Sequence, residues 1–271
     1  MDKYEKLTTL ARRYCIEQAR YWREKYFIER SGLDQYTPQD YDLFPRYNSL
    51  DAILCGVEIL VGDKYSNYSE CVDRLLNATG FKTVFIKEPV NAIEESAIND
   101  EMQKYKSYIL SFDEKKIENT FVDTLPYRRK LKQVESAEIR KALHEKWNFD
   151  GSYWFPLVDV RPISALFLMK KYVEPYEKPI IDIVRSISSN MIYLIEETGN
   201  DYEMAIECFG LTYYECICCD KNLDWIVYES HEETIAFAGE KLIPKIKDLL
   251  IKYENKFNVF EHWDGRVTKL P

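Results

Sequence analysis

Residues 202–242 read YEMAIECFGLTYYECICCDKNLDWIVYESHEETIAFAGEKL, and this stretch decides the fold. Apolar and polar side chains alternate along it, which is the pattern of half-buried β-strands. Gly210 and the run Asp220-Lys221-Asn222 interrupt the alternation and mark turns. A helical pattern follows at residues 238–252. The stretch therefore predicts an antiparallel sheet that is closed by a helix.

Five segments of the C-terminal half have the alternation and the flanking turn residues of strands. They are residues 191–196, 202–209, 212–219, 223–228 and 233–238. A further strand is predicted at residues 152–160, where Pro156 confines it to an edge or a bulge. The side chains predicted to supply much of the core are Ile206, Cys208, Ile217, Trp225, Val227, Ile235 and Phe237.

The N-terminal half has helical periodicity. Helices are predicted at residues 3–30, 50–61, 68–77 and 93–110, with a tyrosine-rich connection at 36–47 and a short strand at 82–87. Dense charge around Pro126 predicts a linker over residues 112–134, with a helical spacer as the alternative. In the second half, further helices are predicted at residues 136–147, 164–173 and 179–188.

The fold class predicted from these elements is α+β. A mostly helical region at residues 1–134 precedes an antiparallel-sheet domain at residues 135–271. The sheet is expected to have about five strands, with helices packed on one face.

Composition restricts the class of partner. The chain has 46 acidic and 37 basic residues among 271, and its net charge of −9 repels phosphate backbones. It favours a basic protein partner over nucleic acid. No signal peptide is recognised at the N-terminus, and the longest apolar run falls short of the ~20 residues that span a bilayer. The sequence therefore predicts a cytoplasmic protein that does not enter the membrane.

The cysteines are predicted to be free thiols that bind no metal. Cys216 and Cys218 share one face of a predicted strand, whereas Cys219 points to the other, and Cys208 lies beyond the turn at Gly210. Thiolates that ligate zinc must converge. Seven cysteines, an odd number, without a secretion signal indicate reduced thiols.

No catalytic or cofactor-binding residue is predicted. Ser230, His231 and Glu232 are neighbours on one segment, whereas a catalytic triad converges from separate parts of a fold. The acidic pairs 94–95 and 196–197 are typical of solvated surfaces. With only nine glycines, the chain does not favour a phosphate-binding glycine loop.

Aromatic residues are the strongest candidates for a contact surface. Tyr153, Tyr213, Tyr214 and Tyr228 fall on predicted strands, and tyrosine is favoured at protein interfaces. Two interpretations remain open: protein-binding side chains, or core rings whose hydroxyls reach the edge of the sheet.

The run from Leu223 to Gly239, with Tyr213-Tyr214-Glu215 and residues 152–156 before it, resembles bacterial immunity-type proteins of polymorphic toxin systems. The resemblance covers residues 150–245 and assigns no functional residue to this chain. It implies a protein that neutralises a toxin by binding it.

Two functions are consistent with the sequence. The first is a non-catalytic, cytosolic binding protein that inhibits a basic toxin without a cofactor. The alternative is an enzyme of unknown chemistry with its site in a cleft between the two halves. An acidic, aromatic-lined patch favours the first, whereas a bound metal or small molecule favours the second.

Overall fold

A computed structural model describes residues 1–30, 35–86, 88–151, 154, 165–211, 215–262 and 264–269. The chain divides into two compact units, Met1–Leu125 and Pro126–Pro271. The boundary between the two units lies earlier in the chain than the one predicted after residue 134. The reason is that Arg128–Lys130, assigned to a linker from its charge, forms a strand in the sheet of the second unit.

The described residues of the first unit form helices and connecting segments, and no strand. Its helices are α1 (Lys3–Arg30), α2 (Asp40–Glu58), α3 (Tyr68–Asn77), α4 (Ala92–Leu110) and α5 (Glu114–Asn119), with a 3-10 turn at Ala78–Gly80. Asn67, Asn91 and Asp113 cap α3, α4 and α5, because each side chain accepts a backbone N–H of the first turn. Buried apolar side chains from all five helices form one core.

Three predictions for this unit are wrong. The linker predicted from residue 112 contains helix α5. Helix α2 begins at Asp40, so most of the predicted tyrosine-rich connection is helical and Pro45 lies inside the helix. Burial of Leu43, Pro45 and Leu50 offsets the backbone hydrogen bond that proline cannot donate. Residues 82–86 form no strand, and Val84 and Phe85 are exposed.

The second unit is built on a seven-stranded sheet of order β1-β4-β3-β5-β6-β7-β2, in which every neighbouring pair is antiparallel. The strands are β1 (Arg128–Lys130), β2 (Ala165–Met169), β3 (Met191–Glu196), β4 (Asp201–Ala205), β5 (Cys216–Asp220), β6 (Ile226–Ser230) and β7 (Thr234–Ala238). The α+β class and the five central strands are confirmed. The helix predicted at residues 164–173 is wrong, since Ala165–Met169 pairs with β7. The strand predicted at residues 152–160 lies outside the described residues, apart from Trp154.

Both faces of the central strands are covered, whereas helices were predicted on one face only. Every residue of β5, β6 and β7 is buried. On one face, Leu143 of α6 (Gln133–Trp147) packs with Phe149 against Ile217 and Ile226. The other helices of this unit are α7 (Lys170–Val173), α8 (Glu177–Ile187) and α9 (Leu242–Leu249). Helix α9 packs against both α8 and β7.

The predicted core is largely confirmed. Ile206, Ile217, Trp225, Val227, Ile235 and Phe237 are buried, whereas Cys208 is half-buried in the 3-10 turn Ile206–Cys208. The closing helix is shorter than predicted, because β7 continues to Ala238. Gly239 follows at φ +123°, where a Cβ would meet the Asp224 carbonyl oxygen at 2.6 Å and Trp225 Cα at 2.9 Å.

The C-terminal residues form a separate two-stranded sheet, β8 (Val259–Glu261) with β9 (Val267–Lys269). Asn258 ties this hairpin to β2, since its backbone N–H donates to the Phe167 carbonyl and its side chain accepts the Phe167 N–H. Among the described residues, no helix combines the length and apolar character that crossing a membrane requires.

Candidate functional site

Three segments of the second unit meet at one end of the sheet. They are the β3–β4 turn, the residue before β5 and the β6–β7 turn. The register brings them together, because Glu196 lies opposite Cys216 and Cys216 lies opposite Glu229. The Glu197 N–H also donates to the Glu215 carbonyl over 2.9 Å. We call this surface the acidic end, and it comprises Glu196, Glu197, Glu215, His231, Glu232 and Glu233.

Each turn has a local cause. Gly199, at φ +84°, closes the β3–β4 turn by donating its N–H to the Glu196 carbonyl. The β6–β7 loop has three residues between the paired Ser230 and Thr234, and its last residue, Glu233, has φ +54°. A three-residue hairpin loop commonly ends on a left-handed residue. These turns hold glutamates at the rim of the sheet.

His231 lies between two carboxylates. Its Nδ1 is 2.7 Å from Glu215 Oε1, and its Nε2 is 3.3 Å from Glu232 Oε1. Each ring nitrogen therefore faces a carboxylate oxygen. His231 is 56% exposed, and both pairs are open to solvent. The histidine therefore links Glu215, before β5, to Glu232 in the β6–β7 turn.

Within the described parts of the chain, no lysine or arginine forms an ion pair with the carboxylates of the acidic end. Glu196 Oε2 accepts a hydrogen bond from the Thr198 hydroxyl at 2.9 Å. The nearby guanidinium of Arg140 donates to the Glu196 carbonyl but places its charge on Asp201. Arg140 therefore pairs with Asp201 and not with a glutamate of the acidic end.

Tyr228 is buried beneath the acidic end and is not part of its surface. Its side chain is 3% exposed, and its hydroxyl donates to Glu197 Oε1 over 2.6 Å. Trp154 meets its ring edge-on at 6.1 Å. The expectation that Tyr228 is a contact residue is corrected: a neighbouring strand on each side and Trp154 bury it, and it positions Glu197. Tyr153, Tyr213 and Tyr214 lie outside the described residues.

The cysteines form no metal centre in the part of the chain that the structure describes. All seven are free thiols. Cys219 packs into the core on the α6 face, opposite the face of Cys216 and Cys218, as the strand alternation predicts. Burial raises the pKa of Cys216 and Cys219 well above the ordinary value, which keeps both protonated.

Comparison of the chain with protein-family models, curated proteins and solved structures finds no match. The resemblance to immunity-type proteins therefore stays a prediction.

Sequence reasoning treated Glu196-Glu197 as a solvated pair and considered His231-Glu232 only as part of a rejected catalytic triad. It missed their convergence with Glu215. The signal that was present is two glutamate pairs, 196–197 and 232–233, each at the boundary of a predicted strand, whereas Glu215 lies inside a predicted strand. What brings them together is the insertion of β3 between β4 and β5, which local patterns do not encode.

Proposed function

We propose that this protein is a non-catalytic binding protein that holds a basic protein partner against the acidic end of its sheet. The immunity-type resemblance adds that this partner is a toxin. The observation that carries the proposal is the convergence of five glutamates from three segments on one end of the sheet. A negative surface of this kind attracts a positive one and accelerates encounter.

Charge alone gives such a surface modest affinity. An exposed ion pair contributes only about 0.2–1 kcal/mol, so several pairs and some apolar anchors are needed for tight binding. Tyr213 and Tyr214 precede Glu215 directly in the sequence. Tyrosine side chains are suitable anchors because they bury a large area and still offer a hydroxyl. We propose that the two tyrosines supply the apolar part of this contact.

The test compares two variants with the same net charge. In the first, Glu197, Glu215, Glu232 and Glu233 become glutamine. In the control, the exposed residues Glu138, Glu145, Glu174 and Glu254 of the same unit become glutamine. Immobilised wild-type protein and both variants are exposed to an extract of the source cells, and retained proteins are identified by mass spectrometry. A retained basic protein is then purified and titrated against all three by calorimetry.

We expect wild type and control to bind the basic protein equally. The acidic-end variant should bind at least about tenfold more weakly, since loss of several ion pairs of this strength sums to more than 1.4 kcal/mol. Affinity of the wild type should also fall with added salt. Equal affinity of the two variants, or retention of no basic protein, contradicts the proposal.

A further inference from the structure

A second charged surface lies on the sheet unit and has the opposite sign. It comprises Tyr172, Tyr176, Tyr253, Lys171, Lys252 and Lys256, and we call it the tyrosine–lysine patch. Tyr253 is central, with its ring centroid 5.0 Å from that of Tyr172 and 6.3 Å from that of Tyr176. All three rings are half-buried, so one side of each remains accessible.

The three lysines surround these rings. Lys252 Nζ is 4.9 Å from the ring centroid of Tyr176 and 4.7 Å from that of Tyr253. Lys171 and Lys256 hold their ammonium groups 5.2 Å and 5.5 Å from the Tyr172 ring. At these distances each ring attracts the cation, which orders the flexible lysine side chains at the surface.

One carboxylate serves two of the lysines. Glu261 Oε2 is 2.5 Å from Lys171 Nζ, and Glu261 Oε1 is 2.7 Å from Lys256 Nζ. The hydroxyl of Tyr172 donates to the same Oε1 over 2.8 Å. These bonds, those from Lys171 and Lys256 first, lower the pKa of Glu261 to about 2. Glu261 is therefore fully charged near neutral pH, and it pairs with two of the three lysines of the patch.

Lys252 differs from the other two lysines. Among the described residues, no carboxylate forms an ion pair with it, and its polar neighbours are the hydroxyls of Tyr176 and Tyr253. Hydrogen bonds to these two hydroxyls raise its pKa. A phenol oxygen that accepts from an ammonium group still has its own proton to donate, and the bond it accepts strengthens that donor. Lys252 also has three N–H donors and remains exposed.

We propose that the tyrosine–lysine patch binds a phosphate group, with Lys252 and the hydroxyls of Tyr176 and Tyr253 as its donors. A phosphate monoester carries about 1.5 to 2 negative charges at pH 7 and three strongly accepting oxygens. Both properties match the patch, which has three lysines and three donor groups, the ammonium of Lys252 and the hydroxyls of Tyr176 and Tyr253. A carboxylate has one charge and uses fewer of these donors. This site is separate from the acidic end and goes beyond the proposed function.

The test titrates the intact protein with inorganic phosphate and, separately, with glycerol 3-phosphate as an organic monoester. Binding is followed by isothermal titration and by the chemical shifts of labelled tyrosine and lysine side chains. Sodium chloride at the same ionic strength controls for screening. We expect saturable binding with dissociation constants in the millimolar range, as suits an exposed site. If the monoester binds more tightly than inorganic phosphate, the site is assigned to an organic phosphate. If the two bind equally, the site is assigned to the free ion.

Variants locate the site. Lys252→Gln should weaken phosphate binding at least about fivefold. Lys178→Gln is the matched control: Lys178 is 85% exposed on α8 and pairs with Asp182, so phosphate binding should not change. Tyr176→Phe and Tyr253→Phe keep the rings and remove the hydroxyls, and each should weaken binding. Glu261→Gln removes the carboxylate that pairs with Lys171 and Lys256, and it should strengthen phosphate binding.

The absence of saturable binding overturns the proposal, as does a Lys252→Gln variant that binds phosphate as the wild type does. A response to sodium chloride equal to that for phosphate would also contradict it, because general screening would then explain the effect. In that case the ring–ammonium contacts serve only to order the surface.

Discussion

Arg140 of α6 holds Asp201 of β4 through two parallel hydrogen bonds, Nε to Oδ2 and Nη2 to Oδ1, each 2.7 Å long. The same guanidinium donates to the carbonyls of Gly151 and Glu196. Asp201 is 1% exposed, so its charge is stabilised by Arg140 and by the hydroxyl of Ser136. The Arg140–Asp201 pair thus fixes α6 to the start of β4, next to the acidic end.

Replacing Arg140 by methionine should destabilise the sheet unit by about 3–5 kcal/mol, because it leaves the buried Asp201 charge without its cation. Urea unfolding followed by tryptophan fluorescence measures the change. Lys141→Met is the control, since Lys141 is the next residue of α6, is 76% exposed and pairs with Glu145. Its effect should stay below about 0.5 kcal/mol. Similar losses in the two variants would show that the Arg140–Asp201 bond contributes little.

The sheet was predictable where one rule applies along a whole segment. Strands β3 to β7 alternate or are bounded by turn residues, and each was found. Strand β2 was missed because ALFLM is a continuous apolar run that suits a buried helix equally well. Strand β1 was missed because RRK is short and charged. That composition is typical of a sheet edge, where lysine and arginine discourage further pairing.

The candidate site was harder to predict than the fold. Its glutamates were visible individually, but their neighbours in space depend on strand order, which is a property of the whole sheet. The burial of Tyr228 has the same origin, since β6 lies between β5 and β7 and its outward-facing residues are covered by Trp154. Alternation indicates that two sets of side chains face opposite sides, but it does not say which side is solvent.

Trp225→Ala should cost about 3 kcal/mol, the lower end of the range for a buried tryptophan. The ring is 2% exposed and lies edge-on to Phe209 at 6.1 Å. Its Nε1 is buried and has no hydrogen-bond partner among the described residues, so the substitution also removes an unsatisfied donor. Val267→Ala, at a side chain 63% exposed in the same unit, is the control. A loss in unfolding free energy below about 1 kcal/mol would show that Trp225 is not a core residue.

Acid should weaken the contact between β1 and α6. Bonds from Arg129, at 2.9 and 3.0 Å, lower the pKa of Glu135 from its ordinary value of 4.5, and the Lys132 N–H adds to this. A carboxyl whose pKa is lower in the folded state stabilises the fold at pH values above its unfolded-state pKa. That stabilisation is lost as the pH falls through the folded-state pKa. Wild type should therefore be more stable than Glu135→Gln at pH 6, with the difference shrinking below pH 4.5.

Glu138→Gln provides the comparison for that measurement, since Glu138 is exposed one turn further along α6. Its stability difference from wild type should not vary with pH in the same way. A Glu135→Gln difference that is constant from pH 6 to pH 3 would contradict the role assigned to the Arg129–Glu135 pair.

Thiol reactivity should single out Cys208. It is the one half-buried cysteine, and its Sγ donates to the Tyr127 carbonyl over 3.8 Å. The thiolate is the reactive form, and burial raises the pKa of Cys71 to about 11 and that of Cys15, Cys216 and Cys219 well above 9. With a disulfide reagent at neutral pH, the native protein should therefore show one fast thiol and six slow ones. After unfolding in guanidinium, all seven should react without prior reduction.

Cys208→Ser should remove the fast phase, whereas Cys55→Ala should leave it unchanged. The melting temperature should be the same with and without a chelator, because these thiols are free and are dispersed over both faces of the sheet and the helical core. Fewer than seven thiols in the unfolded, unreduced protein would reveal a disulfide. A melting temperature that falls with chelator, together with stoichiometric zinc by elemental analysis, would establish a metal site and favour the enzyme over the binding protein.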